Sequence, residues 1–207
     1  IRAALPTLRE IQEKGGRLVL MSHLGRPKDG VKDEASKLDP VARRLEELLG
    51  AKVVKLDDSA GPAVEAAVKA APAGAVVLLE NVRFNKGETQ GDPALSAAFA
   101  RLGDVFVNDA FGSSHRDHCS VAGVARILPS VAGRLVEREV EAFARVLEDP
   151  ARPLYAILGG AKVSDKLPVI ENLLERVDGL LIGGGMAYTF LAAEGHSIGS
   201  SLFEPEL

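Results

Sequence analysis

The chain has 207 residues, 46% of them apolar and 26% charged, with a formal net charge of −4. That size fits one large domain or two modest ones, and a negative balance excludes a nucleic-acid binder built on a general basic excess. One cysteine, Cys119, excludes an intrachain disulfide framework and points to a reducing, cytoplasmic setting. The longest uncharged stretch, 179–193, is broken by glycines and too short to span a bilayer. No signal peptide is recognisable.

In chain order, helices and strands alternate. Residues 1–14 place Ile1, Leu5, Leu8 and Ile11 in helical register, and Gly15-Gly16 supplies a left-handed stop. A strand follows at 17–22. Asp39 is expected to cap, and Pro40 to begin, a helix with Val41, Leu45, Leu48 and Leu49 inward and Gly50 as its stop. Strands are predicted at 52–56, 75–79 and 105–108. Between them lie helices at 62–71 and from Asp92-Pro93 to Gly103, the latter with Leu95, Phe99 and Leu102 inward. Short apolar runs alternating with helices predict a parallel sheet with right-handed crossovers. Residues 134–147 form a longer helix with Val136, Val140, Phe143 and Leu147 on one face. The β-α-β rhythm restarts at Leu154, with strands at 154–158 and 179–182. A domain boundary is placed near 149, giving domains 1–149 and 150–207 joined by that helix. The opening without a cap or initiator Met, and the close at Phe203-Glu-Pro-Glu-Leu207 where a helix could begin, give the expectation of a piece of a longer protein.

Ligands in open α/β sheets bind beyond the carboxyl ends of the strands, so the strand ends carry the functional reading. Three of them deliver an arginine: Arg26 in Ser22-His23-Leu24-Gly25-Arg26-Pro27, Arg83 in Glu80-Asn81-Val82-Arg83-Phe84, and Arg116 at the end of the 105–116 run. Each alone is compatible with a solvated surface arginine. Together they suggest a small, multiply anionic ligand, because guanidinium groups recognise carboxylate and phosphate in planar, bidentate fashion. His23, His115 and His118 serve as substrate contacts, structural donors or bases. His115-x-x-His118 has no further ligand at metal-site spacing, so no protein metal site is expected. Cys119 is read as a packed residue, since no dedicated Cys/His pair is evident.

The last two strand ends carry glycine and lysine. Gly159-Gly160-Ala161-Lys162-Val163-Ser164-Asp165-Lys166 lies at a strand-to-helix turn, with Ser164 a candidate cap. Glycines would admit a phosphate to the backbone, and Lys162 and Lys166 would add charge. A structural Gly-Gly turn with solvated lysines fits the same residues. The Gly183-Gly184-Gly185-Met186-Ala187-Tyr188 segment is either a flat backbone surface for a base or a tight strand–helix crossing.

Five motifs in this order, SHLGRP, LLENVRF, VNDAFGSSHR, AILGGAKVSDK and LLIGGGMAYTF, resemble phosphoglycerate kinase across essentially the whole chain. The resemblance implies an α/β fold of two Rossmann-like, parallel three-layer domains joined by a helix, the second domain truncated here. It implies a monomeric cytoplasmic enzyme whose first domain holds 3-phosphoglycerate or 1,3-bisphosphoglycerate. The second domain would hold ADP or ATP, with Mg2+ carried by the nucleotide. His23, Leu24, Gly25 and Arg26 would line the substrate site, with Arg83 and Arg116 on the phosphate end. Gly160, Lys166, Gly183, Gly184, Gly185 and Tyr188 would border the nucleotide. Lys162 would contact it too and stabilise the phosphoryl group in flight. The implied reaction is direct in-line transfer on hinge closure between two domains facing a cleft. The family's first strand, its Asp-Phe-Asn loop and a catalytic arginine would precede Ile1, and Arg2 is not that arginine. The second half of the nucleotide domain is missing as well, so the isolated chain is expected to be inactive. Asp117 stands where the family more often has a small residue, beside Arg116, and is expected either to weaken substrate binding or to point to solvent. Two rival readings compete with this one. A nicotinamide dehydrogenase would need a GxGxxG loop that SHLGRP is not. A non-catalytic nucleotide- or anion-binding relative would not need the lysines and arginines that the chain retains.

Overall fold

The computed structural model describes residues 1–28 and 30–206, which divide into two compact units, Ile1–Val140 and Glu141–Leu207. Leu207, the last residue of the expected closing helix, lies outside the described residues.

In the first unit, α1 (Leu5–Glu13) follows a 3-10 turn over Arg2–Ala4. The predicted helix thus begins four residues late, at the turn that holds Pro6. Gly15 takes φ +77° and ends the helix as expected. Strand β1 (Leu18–Leu20) leads to α2 (Asp39–Leu49), β2 (Val53–Lys55), α3 (Pro62–Ala70), β3 (Val76–Leu78), α4 (Pro93–Ala100) and β4 (Phe106–Asn108). Strands β1, β2 and β3 form a parallel sheet in the order β1-β3-β2. The sheet's centre is β3, whose three residues are all buried. Alternation along the strand separates two cores. Val76 and Leu78 pack with Leu5, Leu8, Ala42 and Leu45 of α1 and α2. Val77 and Leu79 pack with Val64, Val68 and Phe99 of α3 and α4. Each of the valine, leucine and phenylalanine side chains gains roughly 1.5–3 kcal/mol from burial, so the sheet is held firmly from both sides.

Asp39 does not cap α2. It lies within the first turn, and the preceding Leu38 donates its N–H to the Glu80 carboxylate at 3.0 Å. Asp92 does cap α4, accepting from Leu95 N at 2.7 Å. The fourth predicted strand, β4, is not hydrogen-bonded into the three-stranded sheet. It pairs in parallel with β5 (Ser130–Ala132), a strand the sequence does not announce because it is three residues long and exposed throughout.

Helix α5 (Arg134–Leu147) has the predicted bounds, but its apolar stripe is not buried: Val140, Phe143 and Leu147 are 55%, 53% and 43% exposed. Polar bonds place its start instead. Arg134 N donates to Thr7 Oγ1 at 2.8 Å, and the Arg134 guanidinium holds the Glu10 carboxylate at 2.6 and 3.0 Å.

The second unit contains β6 (Tyr155–Gly159), α6 (Leu167–Leu174), β7 (Gly179–Gly183) and α7 (Ala187–Ala193). β6 and β7 pair in parallel from Tyr155 with Gly179 to Gly159 with Gly183. The buried core is small, comprising Val163, Ile170 and Met186 with a rim that includes Leu158, Ile182 and Phe190. Ile157 is 82% exposed on the outer face of this two-stranded sheet.

Candidate functional site

Because β1 and β3 are neighbours, their carboxyl ends lie side by side. The β1 end opens into the loop carrying Arg26, and the β3 end into a 3-10 turn, Val82–Phe84, carrying Arg83. Arg116 follows β4 beyond a second 3-10 turn, Phe111–Ser113, and its N–H donates to Ser113 O at 3.0 Å. The three arginines converge on one cavity of about 520 Å³, lined also by Pro27, Thr89 and His118. Among the described residues, no carboxylate forms an ion pair with Arg26, Arg83 or Arg116, although Lys and Arg side chains pair with carboxylates elsewhere, as Lys55 does with Glu80 and Arg134 with Glu10.

Burial and mutual repulsion both bear on the ionisable groups of the site. Burial, then the charges of Arg116 and Arg26, lower the Arg83 pKa. Burial, then Arg83, His118 and Arg116, lower that of His23. His118 is lowered by burial, then by Arg83 and Arg116. Both histidines are therefore biased toward the neutral form at neutral pH. The Arg83 Nε is buried without a partner. A dense positive field with an unengaged donor is chemically suited to an anionic ligand.

Of the predicted substrate contacts, Arg26, Arg83 and Arg116 come together in the cavity wall, whereas His23, Leu24 and Gly25 do not line it. His23 lies within reach of its field. Leu24 and Gly25 present their carbonyls to the β3 end: Leu24 O accepts from Asn81 Nδ2 and Gly25 O from Arg83 Nη1, each at 2.8 Å. Gly25 takes φ +67°, and a Cβ there would sit 3.0 Å from Ser36 Oγ, so the turn needs glycine.

Sequence reasoning missed Thr89, Glu80, Asn81 and Glu88, and singled out His118 only as an open possibility. Glu88 is 1% exposed. Its carboxylate accepts from Ser120 Oγ at 2.5 Å and Ser120 N at 3.2 Å, and its Oε1 lies 3.9 Å from His118 Nδ1. Burial pushes its pKa up to about 7, against the opposing hydrogen bonds from Ser120 and the charge of Arg83. An acidic residue in the turn Lys86-Gly87-Glu88 reads as solvated, and no local signal shows otherwise.

Asp117 turns away from the arginines and pairs with Arg126 at 2.8 Å. Cys119 is fully buried, its thiol donating to Asp92 O at 3.3 Å and Gly87 O at 3.4 Å, and burial raises its pKa. That is a packed thiol, as expected.

In the second unit the two glycine loops meet. Met186 N donates to Gly160 O at 2.9 Å. Gly184, at φ +72°, would place a Cβ 2.8 Å from Gly160 O, and Gly185 one 3.1 Å from Ala161 O. Those two glycines serve a close backbone crossing, while Gly183 faces open space. Tyr188 is 41% exposed in the first turn of α7, and Lys162 is exposed. Ser164 does not cap α6; Lys166 occupies the cap position without a side-chain bond. Ser164 Oγ instead donates to Glu204 at 2.6 Å, and Glu204 also accepts from Val163 N at 2.6 Å and Ser164 N at 3.2 Å. These bonds and the nearby Lys162 hold the Glu204 carboxyl below the usual carboxylate range. Two amides that could cradle a phosphate are thus engaged by a carboxylate of the chain itself. Among the described residues, no three His, Cys, Asp or Glu side chains converge as a metal-ligand set.

A three-layer parallel α/β unit with an arginine-lined cavity at its strand ends, followed by a β-α-β-α unit with glycine loops, defines a Rossmann-like α/β class of protein. Comparison with known proteins specifies it further. The family model for phosphoglycerate kinase matches residues 1–207, and the chain belongs to that family. Phosphoglycerate kinases of Moorella thermoacetica and Dictyoglomus turgidum are 56% and 53% identical to it over 206 residues. The match takes in 100% of this chain and 52% of each relative, so the chain spans about half the length of the curated proteins it matches. Among solved structures, phosphoglycerate kinase from Coxiella burnetii superposes with a TM-score of 0.85 at 46% identity, over 98% of this chain and 51% of that one. The enzyme from Pyrococcus horikoshii gives 0.80 at 36% identity, over 96% and 50%. No described helix is long and apolar enough to cross a membrane.

Proposed function

We propose that this chain carries the phosphoglycerate site and the opening part of the nucleotide site of a cytoplasmic, monomeric phosphoglycerate kinase. The whole protein would interconvert 1,3-bisphosphoglycerate plus ADP with 3-phosphoglycerate plus ATP. The observation that supports this best is the convergence of Arg26, Arg83 and Arg116 on one cavity, without carboxylate ion-pair partners among the described residues. In this reading the domain of residues 1–149 binds phosphoglycerate, and residues 150–207 begin the nucleotide domain. The guanidiniums of Arg83 and Arg116 take the phosphate end of the substrate, and the 23–26 loop takes the rest.

In the direction of ATP consumption, a carboxylate oxygen of 3-phosphoglycerate attacks the γ-phosphorus. The bond from that phosphorus to the β-bridging oxygen breaks, and ADP leaves with the electron pair. Magnesium carried by the nucleotide would supply charge neutralisation at its phosphates. Lys162 would bear on the equatorial oxygens of the moving group, and Lys166 on the phosphates that stay. Gly160, Gly183, Gly184, Gly185 and Tyr188 would border the nucleotide, with Gly183 offering the open backbone surface. Nothing in this reaction asks for proton transfer by the protein, so positioning and charge carry the catalysis.

A direct test assays the open reading frame containing this chain for ATP-dependent phosphorylation of 3-phosphoglycerate. The proposal expects turnover by that protein and none by the 207 residues alone, which match only half of each relative. Nucleotide binding with no turnover by the longer protein would point instead to a non-catalytic relative.

A further inference from the structure

The loop 22–27 carries Arg26 and has almost no apolar anchorage. Ser22, His23, Leu24, Gly25 and Arg26 are all exposed. It also projects a positive charge toward Arg83 and Arg116, whose fields oppose it. Like charges held this close drive a free loop outward, so something other than packing must hold it.

Three of its carbonyls are tied to the three residues that follow Glu80. Ser22 O accepts from Val82 N at 3.1 Å, Leu24 O from Asn81 Nδ2 at 2.8 Å, and Gly25 O from Arg83 Nη1 at 2.8 Å. Two of these bonds have donors with other duties, one a backbone amide and the other the ligand-facing guanidinium itself. The third comes from a side chain that is 0% exposed and takes no part in the cavity wall. Asn81 Nδ2 also donates to Ser36 O at 2.8 Å, and its Oδ1 accepts from Arg83 N at 3.1 Å. Both donors and the acceptor are engaged, so the amide fits in one orientation only. Beneath it, Glu80 accepts from Asn81 N at 2.7 Å and Leu38 N at 3.0 Å, and pairs with Lys55 from β2. The amide is thus seated on the central sheet and reaches up to the loop.

We propose that Asn81 is the positioning residue of the anion pocket, fixing the loop of Arg26 against the turn of Arg83 so that both guanidiniums stand ready before the ligand arrives. Anion affinity then depends on a residue that the anion never touches, because the cost of gathering like charges is met in folding and not in binding. The consequence for affinity rests on the phosphoglycerate reading above; the clamp does not.

The test uses the 15N-labelled 207-residue chain and two variants. Asn81→Asp keeps the shape and the acceptor but loses both donors, and Asn81→Ser is shorter and cannot span the two carbonyls. Relaxation measurements should show Gly25 and Arg26 as ordered as the β3 amides in the wild type, and mobile in the variants. The Kd for 3-phosphoglycerate should rise at least about tenfold. Leu45→Ala, on the core-facing side of α2, is the control for lost stability and should leave the Kd within twofold. A merely structural asparagine would lower Tm as Leu45→Ala does, with the loop still ordered and the Kd unchanged; that result overturns the proposal. Should neither variant fold, the wild type decides. Slow exchange of the Asn81 Nδ2 protons with an ordered 22–27 loop supports the clamp, and fast exchange or a mobile loop overturns it. If the wild type binds no phosphoglycerate while Asn81→Asp still loosens the loop, the functional reading fails and the clamp stands.

Discussion

The two candidate anion sites of this chain are built in opposite ways. In the first unit, three guanidiniums are gathered against their own repulsion, backed by a three-stranded sheet with a core on each face and by the buried Glu80–Asn81 pair. In the second unit, the charges sit on flexible lysines, the backbone loops pack through glycine against glycine, and the buried core is three residues deep. In the proposed function the contrast would separate recognition from transfer: a ligand that must be oriented would meet planar donors, and a group that moves would meet point charges on flexible stems.

The largest effect expected from this contrast lies in the second unit. Lys162→Ala in the longer protein should lower kcat by roughly 10²–10³, the usual loss for one transition-state donor, with KM for phosphoglycerate unchanged. An unchanged kcat removes Lys162 from the chemistry and leaves the second unit as a docking surface only.

Next is the buried carboxylate behind the arginine pocket. Glu88 has its pKa raised to about 7 by burial, so the folded state keeps the proton that the unfolded chain releases near 4.5. Its contribution to stability is intact below about pH 4.5 and is lost as pH rises to about 7, where it levels off. The span is about 3 kcal/mol, taking 1.36 kcal/mol per unit. Glu88→Gln should flatten that part of the stability–pH curve in urea titrations between pH 4 and 8. A parallel slope in variant and wild type would show that Glu88 ionises normally.

The glycines sharpen the second unit. Gly184→Ala should cost about 2 kcal/mol from its positive φ alone, and more from the contact with Gly160 O. Gly183→Ala meets no neighbour within 4 Å and should leave the melting temperature unchanged. Equal losses at the two positions would contradict the close crossing. The smallest effect belongs to Asp117→Ala. It breaks a solvent-screened pair with Arg126 and should leave both the melting temperature and anion affinity nearly unaltered.

Much of this architecture was legible in the sequence because its periodicity and stops are local. The β3 run, the helix start at Asp92-Pro93, the Gly50 stop and the bounds of α5 follow from single stretches, whereas the caps expected at Asp39 and Ser164 do not form. β5 was not legible, since Ser130-Val131-Ala132 is short and exposed. The outward stripe of α5 was not legible either, because periodicity marks an apolar face without saying what covers it. At the anion pocket the arginines could be found by their place after apolar runs. Glu80, Asn81 and Glu88 could not, since their importance comes from burial and from partners such as Leu24 and Ser120, 57 and 32 residues away. Ser164 looked like a cap, and a glutamate 40 residues further on took its hydroxyl.

The central claim is that Arg26, Arg83 and Arg116 form one preorganised site for a phosphorylated carboxylate. Calorimetric titration of the 207-residue chain with 3-phosphoglycerate, repeated with Arg116→Ala, tests it most directly. The account predicts saturable one-to-one binding that weakens at least about tenfold in the variant, the loss of one charge-assisted contact. Binding that ignores the loss of Arg116, or a wild type that takes up no phosphoglycerate at all, would contradict it.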